Sequence, residues 1–398
     1  MIYKKFLLYF IPFIVSAFIM YISLDEALWS NFWRILNIPS QLPAFSDLDS
    51  ISRALNGKIE GFNPYYENPY DISQKPYSYT SIWLYLFDFF KLNNPLNFKI
   101  FNFIIIYLHV FVFIKIVYQI ENKYFSLVVG LFFFSTSNLL LLERLNIESI
   151  IFILVYFLSV SQSNLLRIPF FSFAFFLKLY PVFSVFVFMR NKKLFISMII
   201  SSLLAIFLLR NQIYLIMQNS IEYALIFVHG IPAMAKGIYY YSVKYDYFVN
   251  DDNYLIFKLL VMFLASIYAL IIFSFSFKLN SKNIKKFMSI EESLFICGGG
   301  IFIGRMISFS NFDYGLIFLI FTIPYILKVN NYKLNFIYLI SLIISSNSLY
   351  IEGGDRYTFN YFGKAFFVHS LKILIFSIIC FYFGKIVNEH LKINFKKL

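Results

Sequence analysis

Long apolar segments recur along this chain and constrain its fold more than any other feature of the sequence. Segments such as 6–23, 100–118 and 254–277 approach the roughly 20 apolar residues that a helix needs to cross a bilayer. Hydrophobic residues fill 60% of the 398 positions and charged residues 14%, which leaves too little polar surface to cover a soluble domain of this size. The sequence therefore predicts an integral membrane protein. It excludes a soluble enzyme, a nucleic-acid-binding protein and a disordered tail.

The apolar pattern predicts an all-α polytopic membrane protein with about 12 transmembrane helices, in which residues 1–398 form a single integral membrane domain. Several of these segments are short, so neighbouring spans can be broken or merged. The predicted spans are 6–23, 78–90, 100–118, 124–142, 147–160, 168–189, 194–217, 254–277, 293–308, 315–327, 334–350 and 365–384.

The distribution of Lys and Arg predicts the orientation of these spans. If the N-terminus is cytoplasmic, most of the 34 Lys and Arg residues fall in short cytoplasmic loops and tails, as the positive-inside rule requires. The formal charge of +13 is then explained by lipid head groups and not by nucleic acid. We therefore expect a multi-pass protein of the cell membrane with both termini in the cytoplasm. The bias is weakest at Arg144, which this topology places inside, and at Arg167.

Three polar segments on the predicted outer side are the places where a functional site is expected. They are the first extracytoplasmic loop, 24–77, the second long extracytoplasmic loop, 218–253, and the last, 351–364. Loops of such length between short-connected spans are uncommon unless they bind something or are disordered, and these are rich in aromatic residues.

Two carboxylates in the first of these loops, Asp47 and Asp49, precede a possible helix over 51–56. A carboxylate held beside apolar surface can have a raised pKa and act as a base. The alternative is that these residues cap the helix or form a solvated pair. Two carboxylates this close also suit a hard cation, but we predict no metal.

Cations inside the predicted spans form a second set of candidates, because a charge at this depth needs a partner or a hydrated cavity. Lys178 lies 12 residues before the cytoplasmic Arg190, so it is expected to face the outer half of the membrane. Arg305 approaches the outer end of its span, where a guanidinium can pair with phosphate. For both residues a structural ion pair or snorkelling remains an equal alternative. Snorkelling is the expectation for Lys115, Arg210, Lys258 and Lys372.

Several classes of chemistry have no pattern in this sequence. There is no Walker A motif, dinucleotide fingerprint or G-x-S-x-G motif, and the four histidines do not have metal-ligand spacing. We therefore expect no nucleotide and no other cofactor. Any group donor must come from the membrane or from outside the cell.

The order of several short motifs resembles the GT-C class of polytopic glycosyltransferases, and more closely glycosyltransferase family 87, which uses polyprenol-phosphate-mannose. Asp47 or Asp49 precedes Gly-Phe-Asn-Pro-Tyr at 61–65, with Asn63 in place of a second Asp, and Lys-Pro-Tyr-Ser-Tyr follows at 75–79. Asn146 is the match to a Gly-Gln-x-Asn motif, although the predicted topology places it inside. Leu-Lys-Leu-Tyr-Pro at 177–181 is intact, and Ser-Phe-Ser-Asn at 308–311 has Asn where the family has His.

This resemblance implies a GT-C-like fold with a long first extracytoplasmic loop, and a mannosyltransferase-like activity in glycan biosynthesis. A sugar would pass from a polyprenyl-phosphate donor to a lipid-linked or cell-envelope glycan acceptor on the extracytoplasmic face. The carboxylate of Asp47, or of Asp49 as second choice, would be the general base. The expected phosphate-binding residues are Lys178, Arg305 and Arg356. The expected substrate-binding residues are Tyr65, Tyr77, Tyr180 and Tyr314.

Two other readings of the sequence remain open. A Wzy-like polysaccharide polymerase or an O-antigen-ligase-like protein would also use a polyprenyl-linked donor, and would depend more on Arg356 than on Asp47. A glycolipid flippase or transporter would instead place its charges along a transport path.

Overall fold

A computed structural model describes residues 2–72, 74–118, 130–220, 228–244, 253–277, 288–308, 311–329, 331–352 and 359–395. Within these ranges the chain is nearly all α-helical, as the sequence predicts. The exception is an antiparallel pair of two-residue strands, β1 (Val228–His229) and β2 (Asn311–Phe312), in which Val228 is opposite Phe312 and His229 opposite Asn311.

Helices of very different length make up most of the rest of the described chain. The first half contains α1 (Ile2–Ile22), α2 (Glu26–Ile35), α3 (Ser46–Ile59), α4 (Ser81–Phe89), α5 (Pro95–Tyr118), α6 (Thr136–Arg144), α7 (Glu148–Val160), α8 (Asn164–Leu177) and a first 3₁₀ helix (Tyr180–Phe188). The second half contains α9 (Lys192–Leu208), α10 (Arg210–Asn219), α11 (Ile231–Lys244), α12 (Tyr254–Phe277), α13 (Ile290–Ser308), a second 3₁₀ helix (Asp313–Thr322), α14 (Ile323–Lys328), α15 (Tyr332–Ser346), α16 (Ser348–Glu352) and α17 (Phe359–Phe395).

Fewer helices than predicted are long enough to cross a membrane unaided. In the described part of the chain, three are long and apolar enough: Pro95–Tyr118, Tyr254–Ser276 and Gly363–His390. The bent pair α9 and α10 makes a fourth if it is counted as one span. Membrane-spanning character is therefore supported by these helices, whereas the described residues do not confirm the predicted number of 12.

Breaks within the predicted spans account for this difference. The predicted span 168–189 is an α-helix only to Leu177, after which Lys178 is extended and Pro181 lies in the first turn of a 3₁₀ helix. The span 194–217 bends by 68° between α9 and α10. Part of the span 124–142 lies outside the described residues, and α6 has nine residues, about 13 Å of helix. Pro181 favours the first break, because it has no N–H to donate to the preceding turn and its fixed φ suits the start of a new helix.

Helix α13 lies at the centre of the described fold because its glycines allow close packing on two sides. A Cβ atom at Gly304 would lie 1.9 Å from the Phe183 ring of the first 3₁₀ helix. A Cβ atom at Gly298 would lie 2.5 Å from the carbonyl oxygen of Phe318 in the second. Both 3₁₀ helices therefore pack directly on the α13 backbone, and Arg305 near the end of α13 lies between them.

The first predicted loop, 24–77, contains two amphipathic helices. Helix α3 buries Leu48, Ile51 and Leu55, and Asp47 and Asp49 lie in its first turn. The N-cap position is Phe45, so the interpretation of Asp47 or Asp49 as the N-cap is wrong. Carboxylates in the first turn still interact favourably with the positive end of the helix dipole.

The predicted position of segment 143–146 on the cytoplasmic side is also wrong, if 24–77 lies outside. The backbone N–H of Gln41 donates a hydrogen bond to Glu143 Oε1 at 2.7 Å, and Asn146 Nδ2 donates to Asp47 Oδ2 at 2.5 Å. Residues in direct contact lie on the same side of a membrane. Arg144 and Asn146 therefore belong to the side that carries Asp47.

Candidate functional site

A chain of hydrogen bonds joins the first loop to the second 3₁₀ helix through Asn146. The side-chain nitrogen of Asn146 donates to Asp47 Oδ2 and, at 3.2 Å, to the hydroxyl oxygen of Tyr314. The side-chain oxygen of Asn146 accepts a hydrogen bond from the backbone N–H of Glu148 at 3.1 Å. Asn146 is buried, whereas Asp47 and Tyr314 are partly buried. One amide thus fixes the relative positions of Asp47, Tyr314 and the start of α7.

Glu148 is the centre of an adjoining ionic cluster. Its Oε1 atom lies 2.6 Å from Lys178 Nζ and 2.9 Å from Arg305 Nη1, and its Oε2 atom accepts a hydrogen bond from the Tyr180 hydroxyl. The guanidinium of Arg305 also lies 4.6 Å from the centre of the Tyr180 ring. Two cations therefore share one carboxylate, which leaves one positive charge in the cluster.

The local backbone explains why these side chains meet. Leu145 adopts a left-handed conformation with φ of 43°, which ends α6 and turns the chain into α7. Glu148 is then in the first turn of α7, where a carboxylate is favoured. Lys178 is the extended residue that ends α8. The Arg305 guanidinium lies against the backbone of Gly315. A Cβ atom at this position would be 2.0 Å from Arg305 Nη2, so only glycine leaves room for it.

Exposure separates the residues that a ligand can reach from those that it cannot. Glu148 is fully buried, and Arg305 is 1% exposed, whereas 27% of the Lys178 side chain is exposed. Asp47 is partly buried. Arg305 thus does not offer its guanidinium to a ligand in this arrangement, and Lys178 and Asp47 are the charged groups at the edge of the cluster.

The surroundings of Asp47 favour its protonated form. Burial raises the pKa of this carboxyl group, and this effect outweighs Arg144, the hydrogen bond from Asn146 and the charge of Lys178, all of which lower it. Once ionised, a carboxylate whose pKa is raised is a stronger base than an ordinary aspartate, and it can accept a proton from a nearby hydroxyl.

The remaining predicted site residues lie away from this cluster or outside the described residues. Asp49 forms an ion pair with Arg53 one helical turn away, and no hydrogen bond or ion pair among the described residues joins it to the cluster around Glu148. Arg356 lies outside the described residues. The structure therefore brings together Asp47, Lys178, Tyr180, Arg305 and Tyr314 from the predicted set, and leaves Asp49 apart.

Tyr65 and Tyr77 form a separate aromatic group in the first loop, with ring centres 5.3 Å apart. The Tyr65 hydroxyl donates to the carbonyl oxygen of Tyr79 at 2.8 Å, and Tyr77 is buried. Helix α10 holds this group: Gln212 donates to the Tyr65 hydroxyl at 2.7 Å, and Asn219 donates to the backbone oxygens of Tyr65 and Tyr77 at 2.9 Å each.

Sequence reasoning missed Glu148 entirely. Its position at the start of an apolar helix, two residues after Asn146, is the signal that could have found it, because a carboxylate next to apolar sequence needs a cationic partner. The snorkelling interpretation of Lys372 is also wrong. This residue is fully buried, and its ammonium lies 2.8 Å from both carboxylate oxygens of Asp313.

Glu143, at the end of α6, gives a prediction for stability as a function of pH. Burial raises the pKa of its carboxyl group from 4.5 to about 7, against the opposing effect of Arg144. Between these values the folded protein binds the extra proton, so this group makes the protein less stable as the pH rises from 4.5 to 7. We expect Glu143→Gln, which cannot ionise, to gain thermal stability relative to the unsubstituted protein over this pH interval.

The measurement is the unfolding midpoint of both proteins in detergent at a series of pH values. Glu67→Gln is the control, since Glu67 is exposed and lies outside the helices, so its substitution removes a carboxylate without changing the buried site. A difference for Glu143→Gln that does not change with pH would contradict the assignment.

Within the ranges that the structure describes, no group of three or more His, Cys, Asp and Glu side chains is arranged to hold a metal ion.

A scan against protein-family models and searches of curated proteins and solved structures found no match to this chain. The resemblance to family 87 glycosyltransferases therefore stays a prediction from short motifs.

Proposed function

We propose that this chain is a membrane glycosyltransferase that moves a sugar from a polyprenyl-phosphate donor to a lipid-linked or cell-envelope glycan acceptor. The observation that supports this most is the linkage of Asp47, through Asn146 and the backbone N–H of Glu148, to the cluster of Lys178, Glu148 and Arg305. Such a transfer needs a base for the acceptor hydroxyl and positive charge for the departing phosphate, and both are found at one place.

The charges define the role of each group in this proposal. Asp47 takes the proton of the acceptor hydroxyl while the oxygen of that hydroxyl bonds to the anomeric carbon of the donor sugar. The bond from that carbon to the phosphate oxygen breaks, and the electron pair stays on the phosphate. Lys178 stabilises the added negative charge directly, and Arg305 contributes through the field of the buried cluster. A single displacement of this kind inverts the anomeric centre.

The membrane arrangement that goes with this function is GT-C-like. In this proposal the shorter apolar helices Leu8–Ile22, Glu148–Val160, Asn164–Leu177 and Tyr332–Ser346 combine with the neighbouring segments into further, broken spans. Helical breaks inside a membrane are tolerated where they line a hydrated or protein-filled site, and the break at Lys178 is next to Glu148. The site would face the extracytoplasmic side.

The decisive experiment uses the full chain in lipid nanodiscs with a panel of polyprenyl-phosphate sugars and a glycolipid acceptor. We expect loss of the donor, release of polyprenyl phosphate and a product heavier by one sugar, all identified by mass spectrometry. Movement of the glycolipid across proteoliposomes without any sugar transfer would overturn the proposal and favour a flippase. A polymerase would add repeating units to one acceptor.

Lys178→Met tests the phosphate role of this residue. The variant keeps one cation and one carboxylate in the cluster, so we expect it to fold. Loss of the charge closest to the leaving group should lower kcat by a factor of about 10²–10³. The control is Lys91→Met, which removes a solvent-exposed ion pair with Asp88 and should leave kcat unchanged. Equal kcat in both variants would contradict the role given to Lys178.

A further inference from the structure

A second buried ion pair lies directly beside the candidate site. Lys372 Nζ, on the long helix α17, is 2.8 Å from both oxygens of the Asp313 carboxylate. Lys372 is fully buried and Asp313 is 2% exposed. Buried charges are costly unless each is closely paired and hydrogen-bonded. Separating Asp313 from Lys372 is therefore unfavourable, and the pair fixes the distance between the second 3₁₀ helix and α17.

The same pair joins four parts of the fold. Lys372 Nζ donates to the carbonyl oxygen of Val228 in β1 at 2.9 Å, and the Ser348 hydroxyl of α16 donates to Asp313 Oδ2 at 2.5 Å. His229 Nδ1, also in β1, lies 3.6 Å from Asp313 Oδ1. The start of the second 3₁₀ helix is thereby held against α16, α17 and β1.

Three consecutive residues connect this pair to the site. Asp313 binds Lys372, Tyr314 accepts a hydrogen bond from Asn146, and Gly315 lies against the guanidinium of Arg305. A shift of Asp313 would therefore move both neighbouring contacts. Neither Asp313 nor Lys372 itself has a described contact with Asp47 or Lys178, and the shortest described route to these residues passes through Tyr314 and Gly315.

We propose that the Asp313–Lys372 ion pair is a positioning device that holds Tyr314 against Asn146 and so fixes the amide beside the Asp47 carboxyl group. Asp313 and Lys372 are positioning residues, since they act through Tyr314. The significance of this device for catalysis rests on the function proposed above. The geometric claim does not, and it can be tested without any sugar substrate.

The pKa of Asp47 can be used to detect a change in this geometry, because only a few of the described groups affect it. The charged and titratable groups that face it are Arg144 from α6, Lys178 from the break after α8 and Tyr314 from the second 3₁₀ helix, while Glu143 adds a further carboxyl on α6. The hydrogen bond from Asn146 lowers the pKa of Asp47. Without Tyr314 the amide is held only through its oxygen, by the backbone N–H of Glu148, so its nitrogen is less firmly placed beside Asp47 and this pKa should rise.

The experiment titrates Asp47 by chemical labelling of the full chain in nanodiscs. A water-soluble carbodiimide with glycinamide modifies protonated carboxyl groups, and mass spectrometry measures the labelled fraction of Asp47 against pH. Asp49 is an internal reference two residues away, held by its own ion pair with Arg53. We expect Tyr314→Phe to shift the Asp47 midpoint upward by about one pH unit.

The ion pair is removed as a whole, because Lys372→Met alone leaves the Asp313 charge buried and unpaired and can unfold the protein. The double variant Asp313→Asn/Lys372→Met leaves no such charge. We expect it to shift the Asp47 midpoint as far as Tyr314→Phe does, and the triple variant to shift it no further, since the pair acts through Tyr314. Lys115→Met, which removes an ammonium 5.4 Å from the Phe111 ring, is the matched control and should shift nothing.

An unchanged Asp47 midpoint in the folded double variant would overturn the proposal, and so would a triple variant whose shift is the sum of the other two. A merely structural role would reduce the yield of folded protein without moving the midpoint. If the unsubstituted protein transfers no sugar, the proposed function fails, whereas the titration still decides the role of the ion pair. If transfer occurs, the acid limb of its pH profile should move with the midpoint.

Discussion

Asp47→Asn is expected to lower the rate of sugar transfer by a factor of about 10²–10⁴, the usual contribution of a general base. The substitution keeps the size of the side chain and one oxygen that can accept the hydrogen bond from Asn146. It removes the group that takes the acceptor proton. Because the charges of Lys178 and Arg305 are unaffected, donor binding should change little, so the loss should fall on kcat and not on KM. Steady-state kinetics with a defined acceptor measures both constants.

Asp49→Asn is the matched control, because the two carboxylates lie on the same helical turn of α3. Asp49 is paired with Arg53, a partly exposed arrangement that contributes little to stability. We therefore expect its substitution to leave kcat within a factor of about two of the original. Full activity in Asp47→Asn would remove the base from the mechanism, and inactivity in Asp49→Asn alone would transfer that role to Asp49.

The contrast between these two residues shows how far the sequence could predict the site. Both carboxylates precede the same apolar segment, so composition and spacing do not distinguish them. Their directions on the helix do, because residues two apart point away from each other. Asp47 faces Asn146, and Asp49 faces Arg53. The partner of Asp47 lies 99 positions along the chain, and no local pattern contains that information.

Buried cations illustrate a related limit. Lys178 and Arg305 could be selected from the sequence because a charge in an apolar segment must be explained. Whether such a charge reaches the membrane surface or a buried carboxylate depends on the fold. Lys372 looks the same in sequence as Lys115, yet one is fully buried against Asp313 and the other lies beside the Phe111 ring.

The helical class was predictable and the number of spans was not, for a physical reason. Apolar composition reports that a segment avoids water, and it does so equally for an α-helix, a 3₁₀ helix and a bent pair. The segment 315–327 satisfies the apolar criterion, but its residues belong to a 3₁₀ helix followed by the short helix α14. This 3₁₀ helix packs directly on the glycines of α13. Apolar composition does not predict such a contact.

Glu148→Gln is expected to lower the free energy of unfolding by about 3–5 kcal/mol, the usual cost of breaking a buried ion pair by removing one partner. The carboxylate is fully buried and is shared by Lys178 and Arg305. A neutral amide of the same shape leaves both cations without compensation, and it offers the Tyr180 hydroxyl a weaker acceptor or none. The measurement is reversible unfolding in mixed micelles, with the unsubstituted protein alongside.

The two-cation arrangement makes this prediction sharper than a simple loss of stability. Adding Lys178→Met to Glu148→Gln removes one of the uncompensated charges, so the double variant should be more stable than Glu148→Gln alone, although it carries one more substitution. Lys178→Met by itself leaves Arg305 paired with Glu148 and should cost least. Glu291→Gln, which breaks an ion pair with the exposed Lys328, is the control and should cost at most about 1 kcal/mol. A double variant less stable than Glu148→Gln would mean that the two cations do not repel each other across the carboxylate, and that the excess positive charge assigned to the cluster is not there.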